Sequence, residues 1–470
     1  MSPSEFRQIA HQHADWIAQY FEHVRDLPVL PDTRPGELVE ELPAEGPEEG
    51  ESIEEIFADF QSSVFPRLTR WNHPRFFGYY PSSSTPPSVL ADFLASAVNA
   101  NAMLWKSSPA ATELEQVTLS WLRQWLGLQE QFFGIIYDTA SMSTFQAIGA
   151  AREWADPDCR TKGMRRGLIV YITEHTHSSS EKAAIALGFG QENVRKIPVD
   201  NCFRMRADLL EKAVEEDLAA GKRPCCVVAS VGSTAASAID PVPAIAAIAE
   251  RYNIWLHVDA AYAGSSAIVP EMRSVLDGVE RAQSLVINPH KWLYVSVDCS
   301  ILYTRHPDVL RRSSSLGAEY LRTSEDGRVV NFMDYGIQLG RRFRALKLWY
   351  VFRYYGREGI IGMLRESLRL AKMLESLVRS DEEFELCAPV NFSLVCFRHR
   401  GGDAFNQRLL SEINATGKAF LSHAVLNGTY ILRFAIGNFM TNEADVRETW
   451  NLIQTTASQM AAEPVSALSE

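Results

Sequence analysis

Ile254-Trp255-Leu256-His257-Val258-Asp259-Ala260-Ala261-Tyr262 and Ser284-Leu285-Val286-Ile287-Asn288-Pro289-His290-Lys291-Trp292 decide the fold of this chain. Each opens on a short, mostly apolar run and closes on small residues or on Asn-Pro, the pattern of a buried strand entering a turn. Period-two alternation puts His257 and Asp259 on one face, with the carboxylate at the strand's C-terminal end, where open α/β sheets bind their ligands. Lys291 stands just past the second strand, held by the chain rather than swinging in solvent. The interval between Asp259 and Lys291 leaves room for a short crossover and one more strand, so amine and carboxylate face one crevice. A structural aspartate and a lysine in an ordinary ion pair is the plainer alternative.

Strands alternate with helices on either side of this pair. Residues 132–137, 168–172 and 225–231 read as buried strands, and 144–154, 181–187 and 241–252 as helices rich in small residues. Repeated from 132 to 303, that alternation implies right-handed crossovers and a mainly parallel sheet. Before it, Phe6, Ile9, Ala10, Ala14, Ile17 and Phe21 recur at helical spacing within 4–25, an acidic, proline-bearing connector fills 27–50, and further helices are predicted at 53–65 and 89–103. The amphipathic arm has little core of its own and must pack on something else. After it, 310–328 reads as a polar, mobile loop, and a long helix from about Glu358 leads to strands at 392–397 and 431–434. The expected division is an N-terminal helical arm (1–80), a large domain (81–350) and a smaller α+β domain (351–470).

Composition narrows the function. A net charge of −12 without a basic tail opposes a general affinity for nucleic acid or anionic lipid, and points to a small-molecule partner. Seven cysteines, with no CxxC spacing, form neither a disulfide framework nor a zinc site and suit a reducing cytoplasm. The first twenty residues are polar, with no signal-peptide core, and no run approaches the length of a membrane span. His175 and His177 have the spacing of a metal pair but no third ligand, so no metal is expected.

An amine and a carboxylate facing one crevice suit pyridoxal 5′-phosphate: the lysine holds the aldehyde covalently, and the aspartate keeps the pyridine nitrogen protonated. Asp138-Thr139-Ala140-Ser141-Met142-Ser143 is a hydroxyl-bearing turn into a helix N-terminus, where amide donors and dipole favour a phosphate. With Lys291 downstream, Ala140 and Ser141 are preferred as phosphate contacts over plain helix capping.

Asn288-Pro289-His290-Lys291-Trp292-Leu293, His257-Val258-Asp259-Ala260-Ala261-Tyr262-Ala263-Gly264 and Leu339-Gly340-Arg341-Arg342-Phe343-Arg344 resemble the group II pyridoxal phosphate decarboxylases, the group that includes aromatic-L-amino-acid decarboxylase. The resemblance runs from about Glu5 to about Met460. It implies an aspartate aminotransferase-like (type I) α/β fold and a homodimer with active sites at the subunit interface, the N-terminal arm wrapping the second subunit. It also implies cofactor contacts from His177, Thr234, Asp259, Ala261, Asn288, His290 and Lys291, with the His177 ring stacked on the pyridine. The aromatic segment Trp71-Asn72-His73-Pro74-Arg75-Phe76-Phe77-Gly78-Tyr79-Tyr80-Pro81-Ser82 matches the family's substrate-ring pocket at Trp71, Tyr79, Tyr80, Pro81 and Ser82. Tyr320 aligns with the tyrosine that protonates the substrate Cα after carbon dioxide leaves. The implied reaction is decarboxylation of an aromatic L-amino acid of the tryptophan, tyrosine, Dopa or phenylalanine type to its amine, catalysed by Lys291, Asp259, His177 and Tyr320.

The chain departs from the animal pattern at Asn101 and Met103, which match positions reaching the neighbouring subunit's pocket, and at Asp138 and Met142, which replace Gly and Glu. Gly340 matches a position where related plant enzymes carry Gly with indole substrates and Ser with phenols. Three alternatives stay open: an aldehyde synthase, whose members carry Phe in place of Tyr320, a decarboxylase of a non-aromatic amino acid, and a cofactor-bearing protein without catalysis.

Overall fold

The seven strands of the larger sheet are β1 (Phe133–Tyr137), β2 (Leu168–Thr173), β3 (Val194–Ile197), β4 (Arg223–Ser230), β5 (Trp255–Asp259), β6 (Ser284–Ile287) and β7 (Ser300–Thr304). They lie in the order β1-β7-β6-β5-β4-β2-β3 in the computed structural model, which describes residues 1–164, 167–316, 323–325 and 327–462. Only β7 runs against its neighbours; the other pairings in the sheet are parallel. Every residue of β2 and β6 is buried, as expected of parallel strands covered by helices on both faces. The crossover helices Ala140–Ala155, Ser178–Ala186, Ala207–Ala219 and Val242–Arg251 supply that cover.

Strands expected from the apolar runs appear within two residues of their predicted ends. Strand β3 was not predicted, because Val-Arg-Lys-Ile offers only two inward residues and lies at the sheet edge, where charged side chains face water. Two other expectations change. The helix predicted at 89–103 is Pro86–Val98, stopped by Asn99 in the left-handed region (φ 47°). The long helix expected from about Glu358 starts just past Gly356, whose φ of 62° breaks the run Ala345–Arg379 into two helices, the first of them not anticipated. The 310–328 loop starts inside a helix, Pro307–Ser314, before the chain leaves the described residues.

The smaller antiparallel sheet has the order β10-β11-β9-β8, from β8 (Phe384–Leu386), β9 (Leu394–His399), β10 (Ser422–Leu426) and β11 (Thr429–Ala435). Helices Asp403–Ala415 and Glu443–Ala462 cover it, and Trp450 packs edge-on against Phe384 and Phe397 at centroid distances of 5.0 and 5.6 Å.

The basic 340–355 stretch pairs internally. Arg341 reaches Glu115 at 2.7 Å, Arg342 and the buried Lys347 share Asp92 at 3.1 and 3.2 Å, and Arg344 meets Asp298 at 2.7 Å. These pairs dock the start of the long helix on the large domain, close under the strand ends that carry the site.

Candidate active site

Because β1, β2, β4, β5 and β6 are mutually parallel in direction, their C-terminal ends emerge on one side of the sheet. The turns that follow converge there on a cavity lined by Tyr80, Ala140, His177, Ser230, Gly232, Ser233, Thr234, Asp259, Ala261, Tyr262 and Lys291. Asp259 ends β5 and accepts the Ala261 N–H at 3.1 Å through Oδ1. Lys291 lies in the single turn Pro289–Trp292, with its Nζ 5.6 Å from the Tyr80 ring centroid and no hydrogen-bond or ion-pair partner among the described residues. Burial holds its amine below the ordinary lysine range, Asp259 pulls it back up, and Arg433 adds to the depression. A lysine in that setting is poised as a nucleophile.

His177 precedes the helix Ser178–Ala186 and caps it, its Nδ1 accepting the Ser179 N–H at 3.2 Å. That bond leaves the proton on Nε2. Burial holds the ring below the usual histidine range, Asp259 opposing and Lys291 reinforcing the effect, so the imidazole is neutral near pH 7. At the start of Ala140–Ala155 no side chain caps the first turn, which leaves amide donors free for an anion. Asp138 engages the turn one residue earlier: its Oδ1 accepts the Thr139 N–H at 2.5 Å and the Thr139 hydroxyl at 3.1 Å, and its Oδ2 accepts from Gln338 at 3.2 Å.

Gly232 adopts φ 86°, and a Cβ there would stand 2.4 Å from Ala263 Cβ, so the turn after β4 closes against the turn after β5 only with glycine. Rings form the far wall: Tyr80 stacks on Tyr262 (3.8 Å) and Tyr262 on Trp292 (4.6 Å). The Tyr80 hydroxyl donates to the Ser233 carbonyl at 3.0 Å and lies 2.7 Å from Ser237 Oγ.

Of the residues singled out in the sequence, the cavity brings together Tyr80, Ala140, His177, Thr234, Asp259, Ala261 and Lys291. Ser141 is exposed beside Ala140. Asn288 and His290 sit behind Lys291. His290 Nδ1 accepts the Cys299 N–H at 2.9 Å, so its proton is on Nε2, 3.3 Å from Asn288 Nδ2. Turning that amide over presents the otherwise unpartnered Asn288 Oδ1 to the proton and satisfies both. Ser82 donates to the His290 carbonyl, and Pro81 packs beside Gly437.

The remaining positions lie outside this chain's cavity. Trp71 and Tyr79 stack on each other at 5.8 Å on the surface, beside Phe76 and Phe420. Asn101 Oδ1 accepts the Arg341 N–H at 3.0 Å next to Gly340, and the Met103 carbonyl accepts the Met333 N–H at 2.8 Å. Tyr320 lies outside the described residues. His175 is buried edge-on against Phe203 at 5.4 Å, and no cluster of three metal-ligating side chains exists among the described residues. Sequence reasoning did not single out Ser230, Gly232, Ser233 or Tyr262 as wall residues, although Tyr262 stands inside a motif it quoted.

Comparison with known proteins agrees with this geometry. Residues 35–400 match the family described as the pyridoxal-dependent decarboxylase conserved domain. Aromatic-L-amino-acid decarboxylase of Catharanthus roseus is 38% identical over 98% of this chain and 96% of its own length. Phenylacetaldehyde synthase of Arabidopsis thaliana is also 38% identical, over 98% of this chain and 97% of its own. The crystal structure of Oryza sativa TDC with PLP and tryptamine superposes with a TM-score of 0.95 at 38% identity, covering 98% of this chain and 99% of that one.

Proposed function

The chain belongs to the pyridoxal-dependent decarboxylases, and from that premise we propose that it converts an aromatic L-amino acid of the tryptophan, tyrosine, Dopa or phenylalanine type to its amine and carbon dioxide. It is a carboxy-lyase that uses pyridoxal 5′-phosphate. The observation that carries the reading is the buried, partnerless Lys291 amine sharing one cavity with the Asp259 carboxylate and the open helix N-terminus at Ala140. That donor set fits the group: an amine for its aldehyde, a carboxylate for its ring nitrogen, and free amides for its phosphate. When bound, the cofactor supplies an electron-accepting ring for the bond that breaks at the substrate Cα. Lys291, its amine held below the ordinary lysine range by burial, would hold the cofactor's aldehyde and yield that place to the substrate amine. Asp259 holds the proton on the ring nitrogen, and the neutral His177 ring orients the substrate carboxylate through Nε2–H. Tyr320 returns a proton to Cα, which favours amine over aldehyde; the aldehyde-forming reading keeps its place because phenylacetaldehyde synthases are equally similar.

A homodimer belongs to the same reading. Helix Pro3–His23 buries none of its residues within the chain, and Leu90, Phe93, Leu94 and Val98 leave an apolar face of helix Pro86–Val98 open to solvent. A second subunit covering these faces would bring Trp71, Tyr79, Asn101, Met103 and Gly340 to the interface that completes each pocket. The seven free cysteines support a cytoplasmic location. The test is mass spectrometry of products after separate incubation with tryptophan, tyrosine, Dopa, phenylalanine and glutamate. Amine from an aromatic substrate supports the proposal; aldehyde with ammonia, or turnover of glutamate alone, overturns it. Light scattering at micromolar concentration gives twice the chain mass if the dimer is right.

A further inference from the structure

Among the described residues, none from the small sheet lines the cavity, yet that sheet grips its wall. The turn after β4 folds back at 232–238, where Gly232 and Ser233 donate their N–H groups to the Ala238 carbonyl. Three of its carbonyls are taken by side chains from beyond the long helix. Arg433 on β11 donates through Nη2 to Thr234 at 2.7 Å and through Nε to Ala235 at 3.4 Å, and Asn391 Nδ2 donates to Ser237 at 3.1 Å. Arg433 Nη1 is anchored on Ser422 Oγ at 2.8 Å, and the guanidinium stands 5.4 Å from the centroid of the same Tyr80 ring that Lys291 faces.

Arg433 is 3% exposed and has no carboxylate partner among the described residues. A buried cation satisfied only by carbonyls, a hydroxyl and a ring face is costly to keep, and a hydrophobic residue would fill the space more cheaply. We propose that Arg433 is a positioning residue of the cofactor site: from the small domain it fixes the 233–238 turn and the Tyr80 ring around Lys291, so that the cofactor cavity is complete only when the small sheet is docked. The proposal rests on the reading of Lys291 as the cofactor lysine. Its electrostatic consequence follows from place. Lys291 faces Asp259 from β5, His177 from the turn after β2, His290 from its own turn and Arg433 from β11, and the cation on β11 works with burial against protonation of the amine.

The test uses the full-length protein with Arg433→Met, Arg433→Lys and Asn391→Ala. In cofactor-free protein, acetylation of Lys291 by acetic anhydride is followed against pH by peptide mass spectrometry; in loaded protein, cofactor loss is followed by visible absorbance. Arg433→Met moves the acetylation midpoint to higher pH and speeds cofactor loss roughly ten-fold, the scale of losing charge-assisted hydrogen bonds. Arg433→Lys keeps the midpoint, because the charge remains, but still speeds cofactor loss, since one ammonium does not span the Thr234 and Ala235 carbonyls. Asn391→Ala speeds cofactor loss with the midpoint unchanged. Parental midpoint and parental retention in Arg433→Met overturn the proposal; if that variant does not fold, parental retention in both Arg433→Lys and Asn391→Ala does so. Failure of the lysine reading shows separately, as a Lys291→Ala protein that keeps the parental visible band.

Discussion

The amide of Asn101 closes over Gly340: its Oδ1 accepts the neighbouring Arg341 N–H at 3.0 Å, and a Cβ built on Gly340 would stand 3.8 Å from its Nδ2, an ordinary van der Waals contact. No backbone strain reserves position 340 for glycine. Gly340→Ser is therefore expected to leave the melting temperature nearly unchanged, within roughly the ±0.5 kcal/mol typical of exposed sites. If the position faces substrate, the variant shifts the ratio of kcat/KM from indole toward phenol substrates; an unchanged ratio removes Gly340 from the specificity determinants.

Lys291→Ala is expected to abolish both turnover and the visible absorbance of bound cofactor while preserving the fold, because the side chain makes no hydrogen bond among the described residues whose loss would be felt. Absorbance spectroscopy of the purified variant with added cofactor decides it. A retained band refutes the assignment.

Asp259→Ala removes a carboxylate that faces both Lys291 and His177. The expected loss in kcat is about 10²–10⁴-fold, the rate equivalent of the roughly 3–5 kcal/mol lost when one member of a buried charge pair is deleted. Steady-state kinetics at saturating cofactor measures it, and retained turnover would show that the ring nitrogen lies elsewhere.

Glu115 holds the Arg341 guanidinium and also accepts the Ile136 N–H of β1 at 2.9 Å, all three groups being buried. Glu115→Ala leaves an unpaired buried cation and an unsatisfied amide, and is expected to cost about 3–5 kcal/mol of stability. Thermal unfolding checks this against Glu115→Gln, which keeps an acceptor and loses less.

Stability is expected to fall as pH drops from about 6.5 toward 4. Burial holds His73, His257 and His290 down to about 4, whereas the unfolded chain titrates near 6.5. Between those values the unfolded state binds more protons, so acid favours unfolding. Asp240, pushed up to about 6 by burial, acts in the opposite sense but is one group against three. His73→Gln is expected to flatten the slope of melting temperature against pH; an unaltered slope would show that His73 protonates freely in the folded protein.

Much of this molecule was legible before it was folded. Buried parallel strands must be short and apolar, so β2, β5 and β6 announced themselves, and Asp259 and Lys291 were fixed at strand ends by position in their runs. Helix limits were less legible. Asn99 and Gly356 take positive φ, which ends one helix and breaks another, and the apolar periodicity from which helices are read does not mark such points.

What tertiary structure alone decided is which distant segments share a wall. Tyr80, Asn391 and Arg433 meet the 233–238 turn across gaps of more than a hundred residues, and no periodicity or spacing encodes such a meeting. Local pattern specifies which face of an element is apolar and where a strand must end. Packing of two domains specifies which buried charge stands beside the reactive lysine, because that depends on the sum of many weak contacts rather than on any one stretch of chain.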